Sequence, residues 1–263
     1  MPDPGRPANP TIAQLREVTQ PPSVRTRAGA EHWVAHVYLR DISPYLTRIL
    51  LKAGFSANGV TWLMIIAAAL AAVSTAWPSI FGAIGVVILV QLQMLLDCSD
   101  GEVARWRQTS SPRGVYLDRV GHYVAECGIA VALGVRASGG PQLSGIWISA
   151  GLLLGLLVAL NKVENDLVHV ARHYAGLSQM PDVEGVRAPR GGVLRTGRRL
   201  ARMVPFHRVF HSVELSILVL IAAIIDLFVG GAATKVLLAA LVVAACLTLV
   251  GHLVAVLASS RLR

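Results

Sequence analysis

The chain has 263 residues, of which 54% are apolar and only 15% charged, where a soluble domain carries about a quarter charged residues. Its formal net charge is +9 and its mean hydropathy +0.58. These values exclude a soluble enzyme, a disordered chain and a disulfide scaffold, and they predict an all-α integral membrane protein.

Residues 1–30 are rich in Pro, Arg, Thr and Gln and lack an apolar core, so they read as a flexible cytosolic tail rather than a secretion signal. Over residues 31–54, Trp33, Val37, Leu46, Ile49 and Leu50 alternate with Arg40, Asp41, Arg48 and Lys52. That pattern suits an amphipathic helix lying in the membrane interface, and an ordinary surface helix shares it. Residues 55–263 read as one six-helix transmembrane domain. It opens on 44 consecutive uncharged residues, 53–96, and contains two further uncharged stretches of 25 residues, 137–161 and 236–260. A span needs roughly 20 apolar residues. The six spans are expected near 60–77, 80–96, 114–135, 143–161, 213–229 and 234–257. The second runs on into a polar helix over 97–107, the fourth into one over 162–173, and a basic loop covers 175–208.

Six spans leave both termini on one side. The N-terminal segment, the loops after spans two and four and the C-terminal tail hold 21 of the 24 basic residues, and the opposite loops hold only Arg136 and Lys235. The positive-inside rule puts the basic side, with both termini, in the cytosol of a cell (plasma or inner) membrane. Attraction to anionic headgroups accounts for the rest of the basic charge. A nucleic-acid partner is not expected, because aromatics make up only 6% and do not interleave with the Arg residues. Cys98, Cys127 and Cys246 form no CxxC pair. Gly151-x3-Gly155 is a small-residue packing motif that suggests a close helix contact, in a homodimer or otherwise.

Carboxylates inside membrane helices are costly and functional by default. Asp97 and Asp100 end span two on one helix face, with Ala104 on the same face. Asp118 begins span three, with Gly114 one turn before it, His122 one turn after and Glu126 a further turn on. Three carboxylates facing one another at the cytosolic boundary could hold Mg²⁺ or Mn²⁺, since hard cations take oxygen ligands. A salt-bridge network with Arg105, Arg107 and Arg119 is the plainer alternative.

The spacing Asp97-x2-Asp100-Gly101-x2-Ala104-Arg105-x8-Gly114-x3-Asp118-x3-His122 closely resembles the signature of the CDP-alcohol phosphotransferase (CDP-alcohol phosphatidyltransferase) family, DxxDGxxARx8GxxxDxxxD, at seven of its eight positions. Upstream, Ala57-Asn58-Gly59-Val60-Thr61 resembles the family's PNxxT segment, with Ala57 in place of Pro, and residues 41–48 resemble its interfacial helix. The likeness covers about residues 38–260 and is specific over 97–122. It implies a six-span membrane enzyme with two divalent cations, Mg²⁺ or Mn²⁺. Such an enzyme moves a substituted phosphate from a CDP-linked donor to an acceptor hydroxyl and releases CMP, in phospholipid or related lipid biosynthesis. By position, the resemblance makes Asp97, Asp100 and Asp118 metal ligands, and it places Asn58, Thr61, Gly101, Ala104, Arg105 and Gly114 at the CDP site.

The fourth Asp of the signature, the family's general base and second-metal ligand, is His122 here. Three readings stay open. The imidazole is the base, since an unperturbed ring titrates near ~6.5; it is a nitrogen ligand to a metal; or the chemistry is lost and CDP binding kept. Glu126 could partly replace the missing carboxylate. In the basic loop, Arg198, Arg199 and Arg202 are candidates to clamp the phosphate of a phosphorylated acceptor. The alternatives to the enzyme are a silent CDP-binding homologue and a small transporter. A transporter would group its charges near the midplane, and here they sit at one boundary.

Overall fold

A computed structural model describes residues 6–7, 9–25, 32–142, 144–177, 206–258 and 262. The described residues are helical, without strands. The helices are α1 (Ile12–Thr19), α2 (Pro22–Arg25), α3 (Arg40–Lys52), α4 (Ala57–Ala76), α5 (Ile80–Arg107), α6 (Pro112–Ala137), α7 (Ile146–Tyr174), α8 (Ser212–Val229) and α9 (Ala232–Ala258). A π-helical turn, Ala35–Leu39, leads into α3, and a 3₁₀ turn, Phe206–Phe210, leads into α8. Among the described residues, five helices, α4, α5, α7, α8 and α9, are long and apolar enough to cross a membrane. The 26-residue α6 is as long, but its sequence includes Arg113, Asp118, Arg119, Glu126 and Arg136, and it falls short in apolarity. The chain divides into two compact units, Met1–Leu70 with Ile88–Ala125 and Ala71–Val87 with Glu126–Arg263.

In the first unit, part of the stretch expected to be a loose tail is a built helix. Thr11 caps α1: its hydroxyl accepts from Gln14 N at 3.2 Å, and the Gln14 side chain accepts from Thr11 N at 2.9 Å. That reciprocal capping box satisfies two donors that a helix start leaves unpaired. One turn on, Leu15 is fully buried and joins a core with Leu51, Val60, Met64, Leu96 and Trp106. The tail expectation overlooked the capping box and its single apolar anchor.

Helix α3 turns Ile42, Tyr45 and Ile49 outward and buries Ser43 and Thr47. Its buried polar face has a partner, Glu102 of α5, which is 0% exposed. Ser43 Oγ and Thr47 Oγ1 donate to its two carboxylate oxygens at 2.5 and 2.7 Å, Gln20 Nε2 donates at 2.8 Å, and Arg40 Nη1 lies at 3.5 Å. A buried carboxylate costs several kcal/mol unless its lone pairs are met. Here three donors and a guanidinium meet them, so Glu102 ties α3 and the N-terminal segment to α5.

In the second unit, α6 and α7 approach backbone to backbone. A Cβ at Gly134 would lie 2.7 Å from Gly151 Cα, and one at Gly155 would lie 2.5 Å from Val131 Cγ2. The Gly151-x3-Gly155 motif is thus used inside the chain, against α6, and lends no support to the homodimer it suggested. Arg136, expected in a loop, is 6% exposed and donates to Trp77 O and Ser79 O at 2.7 and 3.1 Å. Asp226 of α8 accepts from Ala233 N and Thr234 N at the start of α9, and Gly230 ends α8 in the left-handed region. Lys162 pairs with Glu126 at 2.8 Å, and His252 Nδ1 lies 3.1 Å from Glu164 Oε2.

Candidate metal and nucleotide site

The site lies within the first unit and is set by how three helix ends are capped. Ser56 starts α4: its hydroxyl accepts from Gly59 N at 3.1 Å and its carbonyl from Val60 N. Asn58 and Thr61 therefore lie in and just beyond the first turn of α4. Helix α5 stops at Arg107, where Gln108 takes a left-handed φ of 54° and Thr109 N donates to Ala104 O. Ser111 then caps α6 by accepting from Gly114 N at 3.2 Å, with Pro112 at the first helical position.

This short connection sets the register between α5 and α6. Asp97 lies ten residues before the end of α5, and His122 ten residues after the start of α6. At 1.5 Å per residue both are about 15 Å from the turn, so the hairpin brings them level. His122 Nε2 is 3.2 Å from Asp97 Oδ1 and 3.6 Å from Asp118 Oδ1. Each of Asp97, Asp118 and His122 offers a ligand atom, and these atoms lie within 4.8 Å of one another. Their side chains are 24, 40 and 29% exposed, so a ligand can reach them.

Asp100 is held differently. Its Oδ2 accepts from Thr61 Oγ1 at 2.7 Å, and it is outside the three-residue group. Of the expected ligands, the structure brings Asp97 and Asp118 together with His122 between them, and it ties Asp100 to α4.

The small residues of the motif each receive a neighbour. The Arg105 guanidinium lies over Gly101, where a Cβ would meet Nη1 at 3.1 Å and Nη2 at 3.3 Å. A Cβ at Gly114 would meet Asn58 Oδ1 at 3.4 Å, so Asn58 sits against the first turn of α6. Ala104 is half-buried on α5. Glu126 belongs to the second unit, where Lys162 and, at 3.7 Å, His211 are its partners. It already has a countercharge, which weakens its case as a substitute carboxylate. Arg198, Arg199 and Arg202 lie outside the described residues.

Sequence reasoning missed Glu102, which occupies an unspecified position of the motif and carries no signal of its own. It also missed the hydrogen bond from Arg105 Nε to Thr19 O, 2.6 Å long, since nothing in the sequence pairs positions 86 residues apart.

Two carboxylates and an imidazole within 4.8 Å make a mixed oxygen–nitrogen donor set. Mn²⁺ and other first-row cations accept such a set, and Mg²⁺ prefers oxygen. The imidazole nitrogen lies between the two carboxylates, where a protonated ring would offset their repulsion. No family model and no curated protein matches the chain.

Proposed function

We propose that the chain is a membrane-embedded CDP-alcohol phosphotransferase. One observation carries the reading. Residues spaced as in the family signature, on two different helices, meet at one place: Asp97, Asp118 and His122 with ligand atoms within 4.8 Å. Asp100 is held a turn away by Thr61, the residue that matches the Thr of the upstream PNxxT segment.

Asp97, Asp118 and Asp100 are the residues to hold Mg²⁺ or Mn²⁺, as a pair of ions. Divalent cations at such a site offset the charge of a pyrophosphate and make CMP a better leaving group. Gly101 leaves room on α5 for the Arg105 guanidinium, which is offered there to phosphate oxygens. Asn58 and Gly114 border the same region. His122 takes the proton of the acceptor hydroxyl. The acceptor oxygen forms the new bond to phosphorus, the bond to the CMP oxygen breaks, and CMP leaves with the electron pair. Arg198, Arg199 and Arg202 stand as the clamp for a phosphorylated acceptor.

The finer membrane arrangement belongs to the same proposal. Helix α6 completes the six spans as the third in chain order, with its charged start at the cytosolic boundary. Helix α3 lies in the interface, with Ile42, Tyr45 and Ile49 toward lipid. Both termini are cytosolic, on the strength of the Arg asymmetry.

A second reading has one observation in its favour. His122 already bridges Asp97 and Asp118. A protonated ring there stands where a cation would, so the chain would bind CDP weakly or without turnover. The deciding experiment is lipid mass spectrometry on membranes that overexpress the chain or its Asp97→Ala variant. A CDP-dependent product lost in the variant supports the enzyme; identical lipid profiles overturn it.

A further inference from the structure

We infer that the segment from Arg6 to Gln20 is a working part of the nucleotide site: it fixes the Arg105 guanidinium over Gly101. The inference rests on the proposed CDP site and adds the element that shapes it.

Arg105 is the only motif residue with a long, flexible side chain, and such a side chain loses up to about 2 kcal/mol of rotamer freedom when ordered. An arginine poised for phosphate is useful in proportion to how much of that cost is met before the ligand arrives. Here it is met by the N-terminal segment. Arg105 Nε donates to Thr19 O at 2.6 Å, and the two Nη atoms lie against Gly101.

The segment is itself pinned to α5 and α3 from both ends. At one end, Arg6 Nη1 donates to Arg105 O and Trp106 O at 2.9 and 2.8 Å, and its guanidinium covers the Trp106 ring. Trp106 Nε1 returns a bond to Pro7 O at 3.3 Å. At the other end, Gln20 Nε2 donates to Arg40 O at 2.7 Å and to buried Glu102 at 2.8 Å. Between them, Leu15 is fully buried and Thr19 Oγ1 donates to Leu15 O. The carbonyl that holds Arg105 is therefore adjacent to the best-anchored residue of the segment. Gln20 is a positioning residue: it acts on the nucleotide through Thr19 and Arg105.

The test is a double-mutant cycle on the full chain in detergent, with CDP and Mn²⁺ as the probe in a calorimetric titration. Gln20→Ala removes the anchor, and Gln20→Met removes the donor while keeping the volume, which guards against collapse of the Ala variant. Each should weaken CDP binding roughly tenfold, the worth of a hydrogen bond to a charged group. In an Arg105→Ala background neither should weaken it further, because the two residues act in series. Wild-type affinity in both Gln20 variants would overturn the inference, as would an equal loss with and without Arg105. Absence of CDP binding by the wild-type chain is a different result: it removes the proposed function, and this inference with it.

Discussion

His122 Nε2 lies 3.2 Å from Asp97 Oδ1, although the two residues are on different helices and 25 positions apart. The same nitrogen is 3.6 Å from Asp118 Oδ1. One ring thus sits where two acidic helix faces converge.

The first prediction concerns that cation. CDP binding should require Mn²⁺ or Mg²⁺, and excess EDTA should remove it. Asp97→Asn and Asp118→Asn keep the shape of each side chain and discard a charged ligand, so each should abolish turnover. Titration calorimetry and a radiolabelled CDP-release assay measure the two effects. Near wild-type turnover in either variant would mean that the pair does not hold a metal.

Thr61 offers a milder test of Asp100. Its hydroxyl donates to Asp100 Oδ2 at 2.7 Å, and the residue is 3% exposed. Thr61→Val is close in volume and lacks the donor. Partners that orient a metal ligand typically contribute about 10–100-fold in affinity. Thr61→Val should therefore weaken Mn²⁺-dependent CDP binding by roughly tenfold or more, with the helical circular-dichroism signal unchanged. Unaltered binding would remove Asp100 from the site.

Membrane topology is open to labelling. In a background with Cys98, Cys127 and Cys246 replaced by serine, Thr109→Cys should react with an impermeant maleimide only from the cytosolic face. Gln142→Cys should react only from the opposite face. Both positions are exposed. Arg136, the obvious outer marker by charge, is unsuitable because it is buried and bonded to Trp77 O and Ser79 O. Reaction of position 109 from outside would overturn the proposed orientation and, with it, the proposed cytosolic CDP site.

The long apolar helices were legible because lipid demands uninterrupted apolar length, which a sequence displays directly. The facing of Asp97 and Asp100 with Asp118 and His122 was legible from helical spacing, whereas the close approach of His122 to Asp97 needed the length of the connection between α5 and α6. What stayed hidden was long-range polar pairing. Glu102 finds Gln20, Ser43 and Thr47 only after three separate elements have packed, and no local pattern marks a carboxylate as buried. The helix Ile12–Thr19 stayed hidden behind the Pro- and Arg-rich composition around it. There a Thr-x-x-Gln cap and one buried leucine outweighed the disorder signal of the neighbours.

Glu102 should matter to stability more than its motif position suggests. Glu102→Ala leaves two hydroxyls, an amide and the Arg40 guanidinium without their acceptor. Breaking a buried, charged cluster costs about 3–5 kcal/mol. The melting temperature in detergent should fall by several degrees, and Glu102→Gln, which keeps one acceptor oxygen, should lose less. Equal melting of wild type and Glu102→Ala would show that α3 and α5 are joined by their apolar contacts alone.

The last prediction returns to His122. If the imidazole takes the acceptor's proton, His122→Ala should lose about 10²–10⁴-fold in turnover, the usual contribution of a positioned base. It should keep metal-dependent CDP binding, because Asp97, Asp100 and Asp118 remain. If the ring is instead a metal ligand, the Ala variant should lose CDP binding as well, and added Mn²⁺ should partly restore it by mass action. His122→Asp separates the remaining case. It recreates the fourth carboxylate of the family signature at the same helical position, one turn after Asp118. In an active enzyme this variant should stay within reach of wild-type turnover. If wild type is inert and His122→Asp gains CMP release, then the bridge between Asp97 and Asp118 is a built-in substitute for the cation, and the natural chain binds nucleotide without turning it over.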